Sequence, residues 1–181
     1  MYEKLCFFVA STFYSGFIPE KVFGQPGRGA GLIASLVALL LQFYFLYAAW
    51  PLLVVVVLMI DVFVIGLLVM TPAEQYMRDN YGSRVRHDGK EVDEDFNELS
   101  IDEVPGQFCA GLPVFMFDLS FGYSAVLLVL SFILFRIFDV VKPWPVSWFE
   151  EKLPSPFSVM LDDVAAGIMS AIIILLMIQI I

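Results

Sequence analysis

Two long apolar runs lie almost back to back in the first half of the chain. Between Leu32 and Met70 the only charged residue is Asp61, and the run breaks at Trp50-Pro51 without a polar loop. Leu32 to Trp50 and Pro51 to Met70 are each close to the about 20 residues that a helix needs to cross a hydrocarbon core. They predict a helical hairpin that crosses out and back. Thr71 to Asn80 is expected to extend the second helix into water, and Tyr81 to Asn97 has the Gly, Asp and Arg content of a loop.

Val104 to Phe135 is a 32-residue stretch with Asp118 as its only charge. One helix of that length would tilt steeply or protrude. The cluster Asp118-Leu119-Ser120-Phe121-Gly122-Tyr123 reads as a turn, giving a short helix from Val104 to Phe117 and a longer one from Tyr123 to Phe138. Lys142-Pro143-Trp144-Pro145 ends the latter, because proline lacks a donor and biases the preceding residue away from helical geometry. Val146 to Lys152 sets Trp148 and Phe149 beside Glu150, Glu151 and Lys152, a pattern suited to an interfacial segment. A last helix is expected from Asp162 to Ile181. Its Ala166/Ser170 and Gly167/Ala171 pairs, small residues at i, i+4, let another helix pack closely in lipid.

The pattern thus predicts an all-α, polytopic membrane helical bundle with about five membrane-crossing helices plus N-terminal and interfacial helical segments. It is read as a single membrane-embedded domain over 1–181 with a polar, acidic cytoplasmic loop at about 76–100. Composition agrees: 60% of the residues are hydrophobic and the mean hydropathy is +0.83, against an apolar share of about 45–50% in soluble domains. Met1 to Ala10 is a poor signal peptide, with a short apolar run and no small-residue cleavage site, so it is expected to be retained. Cys6 and Cys109 lie in apolar surroundings, where cysteine serves as a small core filler.

Charge adds an orientation. The predicted topology puts residues 1–31, 71–103 and 136–163 on one side, and these segments hold all ten lysines and arginines. The positive-inside rule makes that side cytoplasmic. Ten of the nineteen acidic residues fall in Thr71 to Glu103, against four basic ones. A connection this acidic argues against nucleic acid as a partner, since phosphate backbones need a basic patch.

Three charged groups converge on the same side: Asp102-Glu103, the set Arg136, Asp139 and Lys142, and Asp162-Asp163. The middle set recurs every three residues, which places the side chains near one helix face. One acid with two bases suits a phosphate and its metal. The acids would hold Mg²⁺, which prefers oxygen ligands, and Arg136 and Lys142 would offset charge on phosphoryl oxygens. Each acidic pair also has a plainer reading as a helix cap, and Arg136 and Lys142 as snorkelling anchors. The delivery of all three groups to one face favours a site. The segment Gly24 to Gly31, with Gly27, Arg28 and Gly29 as candidate phosphate contacts, precedes the first spanning helix. Its amides could bind an anion, or it is a flexible lead-in loop with tight backbone packing.

Other phosphatase chemistries lack support. Neither cysteine is followed by a nearby arginine, the single histidine, His87, sits in the polar loop, and Asp93-Glu94-Asp95 follows no apolar strand that could hold a nucleophile. Asp61 is costly inside a spanning helix unless it pairs, for instance with the helix carrying Gln42. It supports the alternative of a non-enzymatic transporter or assembly subunit.

Three blocks then resemble a known family. Phe135-Arg136-Ile137-Phe138-Asp139-Val140-Val141-Lys142-Pro143-Trp144-Pro145 resembles the Arg-x-x-Asp-x-x-Lys-Pro-Trp-Pro block of bacterial phosphatidylglycerophosphatase A. Asp162-Asp163-Val164-Ala165-Ala166-Gly167 resembles its Asp-Asp-x-x-Ala-Gly block, and Asp102-Glu103-Val104-Pro105-Gly106 its Asp-Glu-x-x-Gly block. Arg28 and Gly31 depart from the family's Pro-Gly-Thr-x-Gly-Ser pattern, where threonine and serine stand, and Tyr76 to Glu94 looks like an acidic insertion. The resemblance implies a Mg²⁺-dependent enzyme of phospholipid biosynthesis in the bacterial cytoplasmic membrane, with a multi-pass chain and its site facing the cytoplasm. It would remove phosphate from the lipid phosphatidylglycerophosphate to give phosphatidylglycerol. Asp102, Glu103, Asp139, Asp162 and Asp163 are then the expected metal ligands, and Asp139, Arg136, Lys142 and Glu103 the catalytic set. Neither the oligomeric state nor the choice between water and an aspartate as nucleophile follows from these residues.

Overall fold

The computed structural model describes residues 2–18, 29–82, 84–85, 91–92, 96 and 98–180. Helix α1 spans Tyr2–Ala10, α2 Ala30–Tyr47, α3 Leu52–Tyr81, α4 Glu103–Gly111, α5 Phe121–Val141, α6 Val146–Lys152 and α7 Phe157–Ile180. Short 3-10 turns cover Ser15–Phe17 and Leu112–Phe115, and two-residue strands, Arg84–Val85 and Glu91–Val92, pair antiparallel. The molecule is an all-α membrane bundle. Helices α2, α3, α5 and α7 are each long and apolar enough to cross a membrane.

The first hairpin closes where the pattern puts it. Ala49 takes a positive φ of 51°, Trp50 stacks on Phe45 with ring centroids 4.8 Å apart, and α3 opens after Pro51. Helix α3 then runs through Pro72 to Tyr81, carrying the expected extension of Thr71 to Asn80. Its outer face, with Leu53, Val57, Val64 and Leu68, is exposed, as suits a helix bordered by lipid.

The segment expected as a fifth crossing helix, Val104 to Phe117, takes a different form. Helix α4 has nine residues, all buried, and passes into the 3-10 turn at Leu112. Pro113 has no N–H to bond the carbonyl four residues back, which ends the α-helical ladder there. At 1.5 Å per α-helical and 2.0 Å per 3-10 residue the two pieces rise about 21 Å. They are packed by α2, α5 and α7, the kind of enclosure in which irregular backbone is tolerated at membrane depth. Four long helices therefore accompany one short inner segment.

Small residues bring α4 and α7 together. A Cβ on Gly167 would run into the Gly106 carbonyl, and a Cβ on Gly106 would stand 2.8 Å from the Asp163 carbonyl and from the Phe135 ring. A polar lock fixes α2 to α4: Gln107 Nε2 donates to Gln42 Oε1 at 3.0 Å, and Gln42 Nε2 donates to the Gln107 and Phe108 carbonyls at 3.3 and 3.2 Å. The pair satisfies the Gln42 amide and the Gln107 Nε2 donor, groups that would be costly in an apolar interior, while Gln107 Oε1 has no hydrogen-bond partner among the described residues.

A second set of contacts collects the charged ends. Cys6, Phe7 and Ala10 of α1 pack with Met70, Ala73 and Met77 of α3 and with Phe96, Leu99, Ile101 and Met160. The Ile101 amide donates to the Ala10 carbonyl at 3.0 Å, and the Ser155 hydroxyl donates to buried Glu74 at 2.7 Å. The starts of α4 and α7 are thus tied to one end of the bundle. Helix α7 begins at Phe157, five residues before the expected start at Asp162. Asp162 and Asp163 therefore lie in its second turn, past the cap position, and the Ser158 and Met160 amides donate to the Pro154 and Pro156 carbonyls instead.

Cysteines introduced singly at Ser120 and Lys152, both exposed, are expected to react with a membrane-impermeant maleimide from opposite sides, while buried Cys6 and Cys109 stay silent. Labelling of both positions from one side would contradict this arrangement.

Candidate functional site

The last turns of α5 carry the first part of the site. Arg136 and Asp139 share a face at i, i+3, with Arg136 Nη1 3.2 Å from Asp139 Oδ2, and the same Nη1 donates to Glu103 Oε2 at the start of α4. One guanidinium thus bridges two helices. Lys142 stands one residue beyond α5 with φ 46° and ψ 55°, a left-handed cap that turns the chain. Its Nζ reaches Asp162 Oδ2 at 2.7 Å and Glu150 Oε1, on α6, at 3.0 Å.

Glu103, Asp139 and Asp163 each offer a carboxylate oxygen, and the three lie within 4.8 Å of one another. Glu103 and Asp163 are buried and Asp139 partly so. Like charges this close and this dry repel. Burial pushes the Glu103 carboxyl up to about 7, with the Asp139 charge adding to the effect and Arg136 opposing it. Burial alone would pull the Lys142 ammonium down, but the Asp162 and Glu150 carboxylates more than offset it and hold it above the usual lysine range.

The adjacent acids divide their work. Consecutive residues on a helix point about 100° apart, so Asp163 turns into the cluster while Asp162 meets Lys142 and accepts from the Asp163 amide at 3.0 Å. Among the described residues, buried Asp163 Oδ2 has no hydrogen-bond partner. An orphaned buried carboxylate oxygen is costly unless a cation or donor satisfies it, so the donor set fits a hard divalent cation. Asp102 occupies the cap position of α4 without a side-chain capping bond and lies outside the trio.

The glycine-rich segment contributes differently from the reading of its amides as an anion nest. Gly27 and Arg28 lie outside the described residues. Gly29 is the cap of α2 with φ 83°, a left-handed conformation that suits glycine. Two residues on, a Cβ at Gly31 would overlap the Glu103 carboxylate and come 3.4 Å from Arg136 Nη1. Gly31 therefore leaves room for the ion pair. His87 and Asp93-Glu94-Asp95 also lie outside the described residues. Asp61 is exposed on the outer face of α3, and Gln42 is already engaged by Gln107. The pairing considered between Asp61 and the Gln42 helix does not form.

Glu150 and the packing role of Gly31 were not evident in the sequence. Glu150 reads there as one of three charges on an interfacial segment. The signal was the pair of prolines after Lys142, which can fold the chain back and bring a carboxylate eight residues on within reach.

A sequence profile of Phosphatidylglycerophosphatase A matches residues 8–178, which include every charged residue of the site. The chain belongs to the phosphatidylglycerophosphatase A family. Two curated relatives carry the same description. That of Haemophilus influenzae is 48% identical over 44 residues, covering 24% of this chain and 27% of the relative. That of Escherichia coli K12 is 44% identical over 41 residues, covering 23% and 24%. The chain thus spans about a quarter of the length of these two relatives of the family. No solved structure matches it.

Gly31→Ala is expected to push the Glu103 carboxylate off Arg136 and lower stability by about 1–3 kcal/mol, the cost of a buried charged group losing its partner. Thermal unfolding in detergent measures it. An unchanged midpoint would show that Glu103 relocates freely.

Proposed function

We propose that this protein hydrolyses the terminal phosphomonoester of phosphatidylglycerophosphate, giving phosphatidylglycerol and phosphate, with Mg²⁺ and at the cytoplasmic face of a bacterial inner membrane. The observation that carries the reading is the group of Glu103, Asp139 and Asp163, three carboxylate oxygens within 4.8 Å beside a fixed guanidinium. Membership of the family supports the substrate, and the distribution of lysine and arginine supports the orientation.

In this mechanism Glu103, Asp139 and Asp163 hold the metal, with Asp102 and Asp162 as flanking acids. When bound, Mg²⁺ would supply Lewis-acid polarisation of a phosphoryl oxygen and a positioned water. Arg136 meets the two carboxylates through Nη1, and its remaining N–H groups are free to face phosphoryl oxygens, where charge grows in the transition state. Glu103 and Asp139 fix that guanidinium from two helices, so its orientation is set before the substrate arrives. Asp162 restrains Lys142, the second cation for the phosphoryl group. Gly29, with Gly27 and Arg28 before it, is the candidate backbone contact for the headgroup at the start of α2.

The test is phosphate release from phosphatidylglycerophosphate by the purified chain, with and without Mg²⁺. Asp139→Asn is expected to lower kcat by about 100-fold or more, and Asp61→Asn to retain the wild-type rate. An inactive wild type in every divalent metal, or an Asp139→Asn variant as fast as wild type, would refute the assignment. Loss of activity in Asp61→Asn would instead favour a function centred on the outer face of α3.

A further inference from the structure

Lys142 lies between two carboxylates from different elements, Asp162 of α7 at 2.7 Å and Glu150 of α6 at 3.0 Å. An ammonium has three N–H donors and a flexible four-carbon stem. Two acceptors on separate helices occupy two donors and leave the third for an incoming oxygen. With Asp162 alone, the ammonium could collapse onto α7 and neutralise one of its own acids.

Glu150 is held well enough to do this. Helix α6 is pinned to the bundle by Val146, which is fully buried among Ala110, Phe135, Ala165 and Ala166, with Phe149 packed against the same cluster. Its other side exposes Trp148 at 45% beside Glu151 and Lys152 and, in the preceding turn, Trp144 at 78%. Aromatic residues of this kind settle at a membrane interface. The Glu150 backbone is thereby fixed relative to α7 independently of Lys142. The cap residue Lys142, at φ 46°, likewise has its backbone turned out of α5, and this lets its side chain reach both partners.

We infer that Glu150 is a positioning residue: it shares Lys142 with Asp162 and presents the remaining ammonium donor to a phosphate oxygen. Glu150 stands outside the carboxylate trio of Glu103, Asp139 and Asp163, so it acts on the phosphate side of the site and leaves the cation side alone. The inference rests on the proposed phosphatase reading for its substrate, and on the geometry alone for the clamp.

The two can be separated with inorganic phosphate as the probe. Isothermal titration of the full-length protein in detergent, with Mg²⁺ present, should show Glu150→Gln binding phosphate about tenfold more weakly than wild type, the scale of one charge-assisted hydrogen bond. Mg²⁺ affinity should not change, and Glu150→Asp should recover most of the loss. In the hydrolysis assay kcat/KM of Glu150→Gln should fall by a similar factor with the Mg²⁺ half-saturation point fixed. Wild-type phosphate affinity in Glu150→Gln, or a shift in its Mg²⁺ affinity, would overturn the clamp. So would a wild type that binds no phosphate. A wild type that binds phosphate in the predicted pattern but releases none from phosphatidylglycerophosphate would refute the substrate and leave the clamp standing.

Discussion

Apart from Asp61 on α3 and Asp118 in the opposite turn, the charged residues of the long helices gather at one end of the bundle, and the tightest expression of that constraint is Arg136, shared by Glu103 and Asp139 at the foot of α5. A guanidinium keeps its charge at any physiological pH, so the helices around it must bring carboxylates to it or leave it unpaired. They bring more than it needs. Glu103, Asp139, Glu150, Asp162 and Asp163 stand against Arg136 and Lys142, five acids to two bases, and among the described residues buried Asp163 Oδ2 has no hydrogen-bond partner. An acidic excess in a dry setting destabilises the protein by itself. A divalent cation would relieve it, and under the proposed function that cation would be held against a phosphate.

The scaffold that permits this is built from close contacts. Gly106 and Gly167 let α4 and α7 approach until backbone meets backbone, which sets Glu103 opposite Asp163. Gly31 clears the space behind Glu103, and the Gln42–Gln107 pair locks the inner segment to α2. Each of these positions lies on a helix. A site carried on packed helices holds its geometry better than one on loops, and transition-state stabilisation by fixed dipoles and charges depends on that rigidity.

Much of this was legible in the hydropathy pattern. The Trp50-Pro51 hairpin, the interfacial segment at Val146 to Lys152 and the convergence of three charged groups all follow from where apolar runs stop. Three features did not. The Val104 to Phe117 segment has the hydropathy of a crossing helix, and only packing distinguishes a short helix buried on all sides from one that faces lipid. Asp162 and Asp163 precede an unbroken apolar run, so they resemble a helix start. The true start at Phe157 is concealed by prolines, since Pro154 and Pro156 read as a loop. Glu150 needed three dimensions, because the partner it finds lies across a chain reversal.

Binding of Mn²⁺, a spectroscopic substitute for Mg²⁺, followed by electron paramagnetic resonance in detergent, tests the proposed cation site without reference to turnover. Wild type is expected to hold the ion in a saturable site, and Asp163→Asn to lose most of that affinity. A wild type that binds no divalent cation, or an Asp163→Asn variant that binds as wild type does, would contradict it.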